Sequence, residues 1–305
     1  MGISRRDFLK TSAVAAAGGA ATQARASTPE AGSTGTNSDD CFAVLVDTVV
    51  CVGCRKCEWA CANEHKLSDK TLAEFEDRSV FAQQRRPDAT AYTVVNAYPN
   101  PDEVDKPYLM KLQCMHCAAP ACVSACIVGA LAKSPRGPVV YDAWKCIGCR
   151  YCMVACPYQI PAYEYHNPLN PQVRKCTFCH ERLQRGEKPA CVGICPNEAL
   201  TFGRRRDVME VARARIRHNP DRYVDHVYGE HEIGGTSWMY LAGVDFSQTA
   251  LPTLGQDPIP PLTENIQHGI FQSFIPPLAL FALLGLTMHT LRERQGQGNA
   301  DHDHA

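Results

Sequence analysis

Sixteen of the seventeen cysteines in this 305-residue chain fall into four tight groups. Cys51, Cys54, Cys57 and Cys61 stand in the pattern C-x2-C-x2-C-x3-C, and Cys146, Cys149, Cys152 and Cys156 repeat it with Pro157 behind. Cys114, Cys117, Cys122 and Cys126 stretch one spacer to four residues, and a longer loop separates Cys176 and Cys179 from Cys191 and Cys195, with Pro196 following. This is the spacing that wraps a cubane iron–sulfur cluster. The tight loop covers three iron corners and turns its N–H groups toward the sulfides, while the fourth cysteine sits on the following helix and ligates the other cluster of a pair. Four such motifs imply four 4Fe–4S clusters.

Two other chemistries use dense cysteines. Zinc ribbons also employ C-x2-C pairs, but they take four ligands per ion and have no use for a fourth cysteine at x3 followed by proline. The looser fourth group is where zinc would fit best. A disulfide framework is the default for an exported cysteine-rich chain, and a run this tight that recurs argues against it. Cys41 lies outside the motifs and reads as a structural or free thiol. His116 and His180 stand beside motif cysteines as hydrogen-bonding neighbours, and Trp59, Trp144, Tyr151, Tyr158, Tyr163 and Tyr165 are expected to fill space and exclude water around the clusters.

The elements that must hold these loops are short. Strands are predicted over Phe42–Val46, Leu131–Lys133, Val139–Tyr141 and Ala199–Phe202, the middle two around a Ser-Pro-Arg-Gly turn. This alternation is an internal repeat of the bacterial ferredoxin kind. Because the first and fourth motifs enclose the second and third, the chain should build an outer and an inner double-cluster module. Residues 63–112 form an insertion with strand-like stretches at Tyr92–Ala97 and Tyr108–Lys111. Asp207–Arg217 suits an amphipathic helix with Val208, Val211 and Ile216 inward. The expected class is α+β: tandem ferredoxin-like double-cluster modules with an insertion, plus one C-terminal transmembrane helix.

The ends carry addresses. Arg5 and Arg6, the apolar stretch Ala13–Ala21 and Ala24-Arg25-Ala26 read as a twin-arginine signal over residues 1–26. That route carries folded proteins, which suits clusters assembled in a reducing cytoplasm. A flexible leader follows over 27–41, and the cluster-bearing domain spans 42–260. No Asp, Glu, Lys or Arg occurs between Glu264 and Arg292, and the largely apolar run Ile270–Leu291 is long enough to span a bilayer. An anchor is therefore expected over 261–292. Arg292 and Arg294 put the tail, 293–305, in the cytoplasm and the bulk of the chain in the periplasm. With 31 Lys plus Arg against 32 Asp plus Glu, no positive field points to nucleic acid. No Ser-His-Asp grouping or phosphate-binding glycine loop suggests catalysis by this chain alone.

Through QCMHC at Gln113–Cys117, CRYCMVACPY at Cys149–Tyr158, GGT at Gly234–Thr236 and ENIQH at Glu264–His268, the chain resembles the four-cluster iron–sulfur subunits of respiratory membrane oxidoreductases. That group holds the β subunits of formate dehydrogenase and the HybA type of hydrogenase-2, and the likeness is greatest to the latter. The resemblance covers nearly all of Phe42–Leu291. It implies that Cys51, Cys54, Cys57 and Cys195 hold one cluster and Cys61, Cys176, Cys179 and Cys191 its neighbour. In the inner module it pairs Cys114, Cys117, Cys122 and Cys156 with Cys126, Cys146, Cys149 and Cys152. All sixteen positions are cysteine, and Ile127 departs from the proline that relatives often carry. The resemblance further implies an electron-transfer subunit between a catalytic partner, with nickel–iron hydrogenase favoured, and a polytopic membrane subunit that reacts with quinone. A molybdenum or tungsten enzyme such as formate dehydrogenase is the alternative partner.

Overall fold

A computed structural model describes residues 40–100, 107–261, 264 and 280–290, all within one unit, Thr36–Ala305. The first strand, β1 (Phe42–Asp47), has no polar residue before Asp47 and is buried from Ala43 onward. Such a run needs cover on both faces, and it receives it. After the first cysteine loop comes α1 (Lys56–Glu64). In the insertion, β2 (Thr93–Tyr98) and β3 (Tyr108–Gln113) pair antiparallel, Thr93 opposite Gln113 and Tyr98 opposite Tyr108.

The second motif supplies α2 (Ala121–Ser124), and β4 (Leu131–Lys133) turns back as β5 (Val139–Tyr141). The third motif ends in α3 (Tyr151–Ala155), followed by the short pair β6 (Ala162–Tyr163) and β7 (Val173–Arg174). The fourth contributes α4 (His180–Gln184) and α5 (Ala190–Gly193). Then β8 (Leu200–Arg204) leads into α6 (Arg205–His218), and β9 (Trp238–Leu241) completes the series.

The central sheet has the order β8-β1-β9, with β1 antiparallel to β8 and parallel to β9. Alternation along these strands sorts two cores. Val44, Val46, Trp238 and Tyr240 face the side that holds motif cysteines such as Cys61, Cys114, Cys176 and Cys191. Ala43, Leu45, Met239 and Leu241 face α6. The helix presents Val208, Met209, Ala212 and Ile216 to the sheet. Val211, expected inward, is 37% exposed. At 3.6 residues per turn it stands about a third of a turn from the middle of that stripe.

The helices pair by motif. The first motif's α1 packs on α5 of the fourth, and α2 packs on α3, so the outer and inner motifs each form a two-helix layer. The pairing of β1 with β8 closes the outer layer in the antiparallel register Val44 opposite Phe202.

The signal over 1–26, nearly all of the leader, the tail over 293–305 and most of the anchor lie outside the described residues. Within the anchor a helix is described over 280–290, and its Leu280, Phe281, Leu283, Leu286 and Met288 are exposed. Among the described residues no helix is long and apolar enough to cross a membrane.

Candidate functional site

All four cysteine loops turn through the same unusual backbone. The residue just before the second cysteine is left-handed in each: Gly53 at φ 64°, His116 at 49°, Gly148 at 71° and Phe178 at 57°. Two motifs use glycine there at no steric cost. The other two hold a histidine and a phenylalanine in a conformation that costs on the order of 1 kcal/mol or more. A second left-handed turn recurs three residues after the last cysteine, at Gly129, Gln159 and Glu198. These turns direct main-chain N–H groups at sulfur. Gly148 donates to Cys146 Sγ at 3.4 Å, Phe178 to Cys176 Sγ at 3.4 Å and Ala130 to Cys126 Sγ at 3.2 Å.

Two cavities gather eight of the motif cysteines. Cys51, Cys54, Cys57 and Cys195 line one cavity together with Val46 and Lys111. Cys126, Cys146, Cys149 and Cys152 line another. Burial raises the Cys61 thiol well above its usual range, and Cys176, Cys191 and Cys179 add to the rise. Cys117 is raised in the same way, first by burial and then by Cys114, Cys122 and Cys156.

Neighbouring groups also feel one another. After burial, and against the opposing pull of Lys111, Cys57 is raised by Cys191 and Cys176 by Cys114. Cys122 is pushed up to about 12 by burial, with Cys114, Cys156 and then Cys152 adding to it. Cys57 and Cys191 of the outer motifs, Cys176 and Cys114 across the two modules, and Cys122 and Cys152 of the inner motifs are thus near neighbours.

None of the seventeen cysteines, all of them described, is joined in a disulfide. Among the described residues no group of three His, Cys, Asp or Glu converges closely enough to hold a single metal ion. The cysteine groups ring a space instead. Their surroundings fit a sulfide-rich cage. Val139 N–H donates to His116 Nδ1 at 2.8 Å, which puts the ring proton on Nε2. That Nε2 and the Tyr158 hydroxyl are buried without a hydrogen-bond partner among the described residues. Such orphaned donors are rare and costly, and inorganic sulfide or thiolate sulfur would accept from them. Burial, with the neighbouring thiols adding to it, keeps these thiols protonated, Cys51 at about 11 and Cys152 at about 11, so binding iron must displace their protons.

Two lysines, Lys133 half-buried and Lys175 buried, brace the loops. Lys133 Nζ donates to the carbonyls of His116 at 3.0 Å, Cys117 at 2.7 Å and Gly137 at 2.6 Å, tying the second motif to the β4–β5 turn. Lys175 Nζ donates to the carbonyls of Val139 and Cys176. Lys133→Met would take the donor from the Cys117 carbonyl and leave those of His116 and Gly137 to the longer bonds from Ser237. It is expected to cost about 1–3 kcal/mol, read as a lower temperature at which the visible cluster absorbance bleaches.

The aromatic residues divide. Tyr158 is buried, and Trp59 and Tyr163 are half-buried, as space-fillers should be. Trp144, Tyr151 and Tyr165 are instead exposed, Trp144 at 94%, because nothing among the described residues packs over the inner module's outer face. His180 caps no thiol and lies 3.1 Å from Gln184 Nε2 on its own helix. Cys41 is buried. Sequence reasoning missed Lys111, Lys133 and Lys175, whose only signal is a lysine inside or beside a short strand next to a cysteine.

The sequence over residues 106–205 matches the model of a 4Fe-4S dicluster domain, and residues 2–22 match the twin-arginine translocation pathway signal sequence. A protein of Nitratidesulfovibrio vulgaris (Hildenborough) is 53% identical over 249 residues, 81% of this chain and 66% of that one, so the match spans just under two thirds of that relative. The hydrogenase-2 operon protein HybA of Escherichia coli O157:H7 is 35% identical over 295 residues, covering 85% of this chain and 88% of HybA. The iron–sulfur subunit of the nitrate-inducible formate dehydrogenase of Escherichia coli K12 is 32% identical over 203 residues, covering 65% and 67%. With its twin-arginine signal, its cysteine loops and these relatives, the chain belongs to the family of ferredoxin-type, 4Fe–4S-carrying iron–sulfur subunits of respiratory oxidoreductases, near HybA.

Proposed function

We propose that the chain is a periplasmic electron relay with four 4Fe–4S clusters. One would be held by Cys51, Cys54, Cys57 and Cys195, and the next by Cys61, Cys176, Cys179 and Cys191. The third would be held by Cys114, Cys117, Cys122 and Cys156, and the last by Cys126, Cys146, Cys149 and Cys152. When bound, each cluster takes up and gives back one electron. The residues do the rest: thiolates hold the centres, the buried N–H groups stabilise charge on sulfur, and the apolar sheet face excludes water.

The observation that carries this reading is the gathering of motif cysteines, eight of them around two cavities and the others near enough to raise one another. The cavity of the inner module reaches the surface. Cys149 is exposed, and Trp144, Ile147, Tyr151 and Val154 around it are exposed apolar side chains, a face suited to a partner subunit. The exposed apolar helix over 280–290 supports the C-terminal anchor, with the tail in the cytoplasm.

The favoured catalytic partner is a nickel–iron hydrogenase, with a polytopic quinone-reacting subunit in the membrane. Similarity to HybA over 85% of the chain supports it. A molybdenum or tungsten oxidoreductase such as formate dehydrogenase is the second reading, supported by the formate dehydrogenase iron–sulfur subunits among the relatives. Co-purification from mildly solubilised membranes tests the choice. The expected companion is a nickel-containing large subunit. A molybdenum- or tungsten-containing one would select the second reading, and recovery of the chain with neither would overturn both.

A further inference from the structure

Lys111 is an anomaly of the fold. It lies on β3 with 2% of its surface exposed, and among the described residues no carboxylate pairs with it. Its Nζ donates to Gln113 Oε1 at 2.8 Å and sits 4.4 Å from the centroid of the Trp238 ring. Neither partner carries charge. An ammonium taken out of water at this depth costs several kcal/mol unless opposite charge answers it.

The head group is also held in place. Gln113 Nε2 donates to Tyr240 Oη at 2.7 Å, and Tyr240 Oη donates to the Lys111 carbonyl at 2.8 Å. Lysine, amide and phenol thus lock one another on the cysteine side of the central sheet. What lies around Lys111 is sulfur. It lines the cavity of Cys51, Cys54, Cys57 and Cys195, and the Trp238 ring beneath its head group packs in one core with Cys61, Cys176 and Cys191. Those residues belong to both outer groups. Lys133 and Lys175 differ, since they spend their donors on main-chain carbonyls.

We infer that the Lys111 ammonium is a fixed countercharge shared by the two outer clusters, raising the reduction potential of both. The inference rests on the ligand groups proposed above. Each reduction adds one electron, delivered by the neighbouring centre or by dithionite in vitro, with no bond made or broken and no proton moved. The added negative charge meets a buried positive one in a medium of low polarity, where the attraction is only weakly screened. Net charge near a cluster is one of the levers that set its potential.

The test is a potentiometric titration of the anaerobically purified full-length chain, followed by electron paramagnetic resonance. In Lys111→Met, which keeps length and loses charge, two of the four reduction steps are expected to become at least tenfold less favourable, about 59 mV lower for one electron. The other two should hold. Lys111→Arg, which keeps the charge, should restore the wild-type pattern. The inference fails if no step moves, if all four move alike, or if the arginine variant falls with the methionine one. Loss of iron in Lys111→Met but not in Lys111→Arg also supports a required countercharge. Loss in both assigns the residue to packing and overturns it. Iron and sulfide analysis of the wild-type chain checks the underlying reading separately: fewer than four clusters sinks that reading, while full loading with unmoved potentials sinks only the role of Lys111.

Discussion

Cys149→Ser is expected to remove or convert one cluster of four while leaving the outer pair in place. Cys149 shares its cavity with Cys126, Cys146 and Cys152, and it is the exposed member of the motif cysteines. Serine offers a harder, more basic oxygen where the site presents thiolate, so the iron at that corner is held poorly. The damage should stay local. The cavity lined by Cys51, Cys54, Cys57 and Cys195 sits in the other module, on a different pair of packed helices. The first inner group is adjacent, since Cys152 is felt at Cys122, and a small change in its signal is expected. Spin quantitation of the dithionite-reduced variant should give about three clusters' worth of reduced spin, or a three-iron signal in the oxidised protein. An unchanged spectrum would count against assigning Cys149 as a ligand.

The cysteine loops were legible because a cluster demands fixed spacing over a dozen residues, and local sequence records local geometry. The flanking strands were legible for a similar reason: β4 and β5 occupy the residues that alternation and the Ser-Pro-Arg-Gly turn assign them. The partner of β1 across the sheet was not. Trp238–Leu241 is a short apolar run whose parallel pairing with Val44–Asp47 spans nearly the whole described chain, and no local signal specifies such a contact. Lys111 was hidden by its own pattern. In YLMKLQ the alternation sets Leu109, Lys111 and Gln113 on one face, which reads as a solvated side. The structure buries Lys111 and Gln113 instead, because that face meets Tyr240 and the thiols. Val211 erred the other way, an apolar residue on the flank of a helix whose stripe is completed by Met209 and Ala212.

Glu58→Ala should be the most destabilising single change outside the cysteines. Glu58 lies on α1 between Cys57 and Cys61 and is 4% exposed. Its Oε2 accepts from Arg55 Nε at 3.2 Å and Nη2 at 2.9 Å. Its Oε1 accepts from Arg85 Nη2 at 2.6 Å and from the Val95 N–H at 2.6 Å. Arg55 in turn donates to the carbonyls of Phe75 and Asp77. One carboxylate therefore ties the first cysteine loop to three separate points of the insertion. Removing it strands a buried guanidinium, Arg55 at 6% exposure, and breaking a buried pair in this way costs about 3–5 kcal/mol. That is a large share of the roughly 5–15 kcal/mol that holds a domain together. Unfolding of a chain with bound clusters is irreversible in practice, so the readout is a rate. Bleaching of the visible absorbance in urea should be faster by a factor of ten or more. Glu58→Gln, which keeps one acceptor oxygen but turns an amide toward an arginine, should fall between. Since α1 carries Cys57 and Cys61, one cysteine of each outer group, the proposed outer clusters should be lost before the inner ones. Equal stability of Glu58→Ala and the wild-type chain, or loss beginning in the inner module, would show that this node does not hold the first loop.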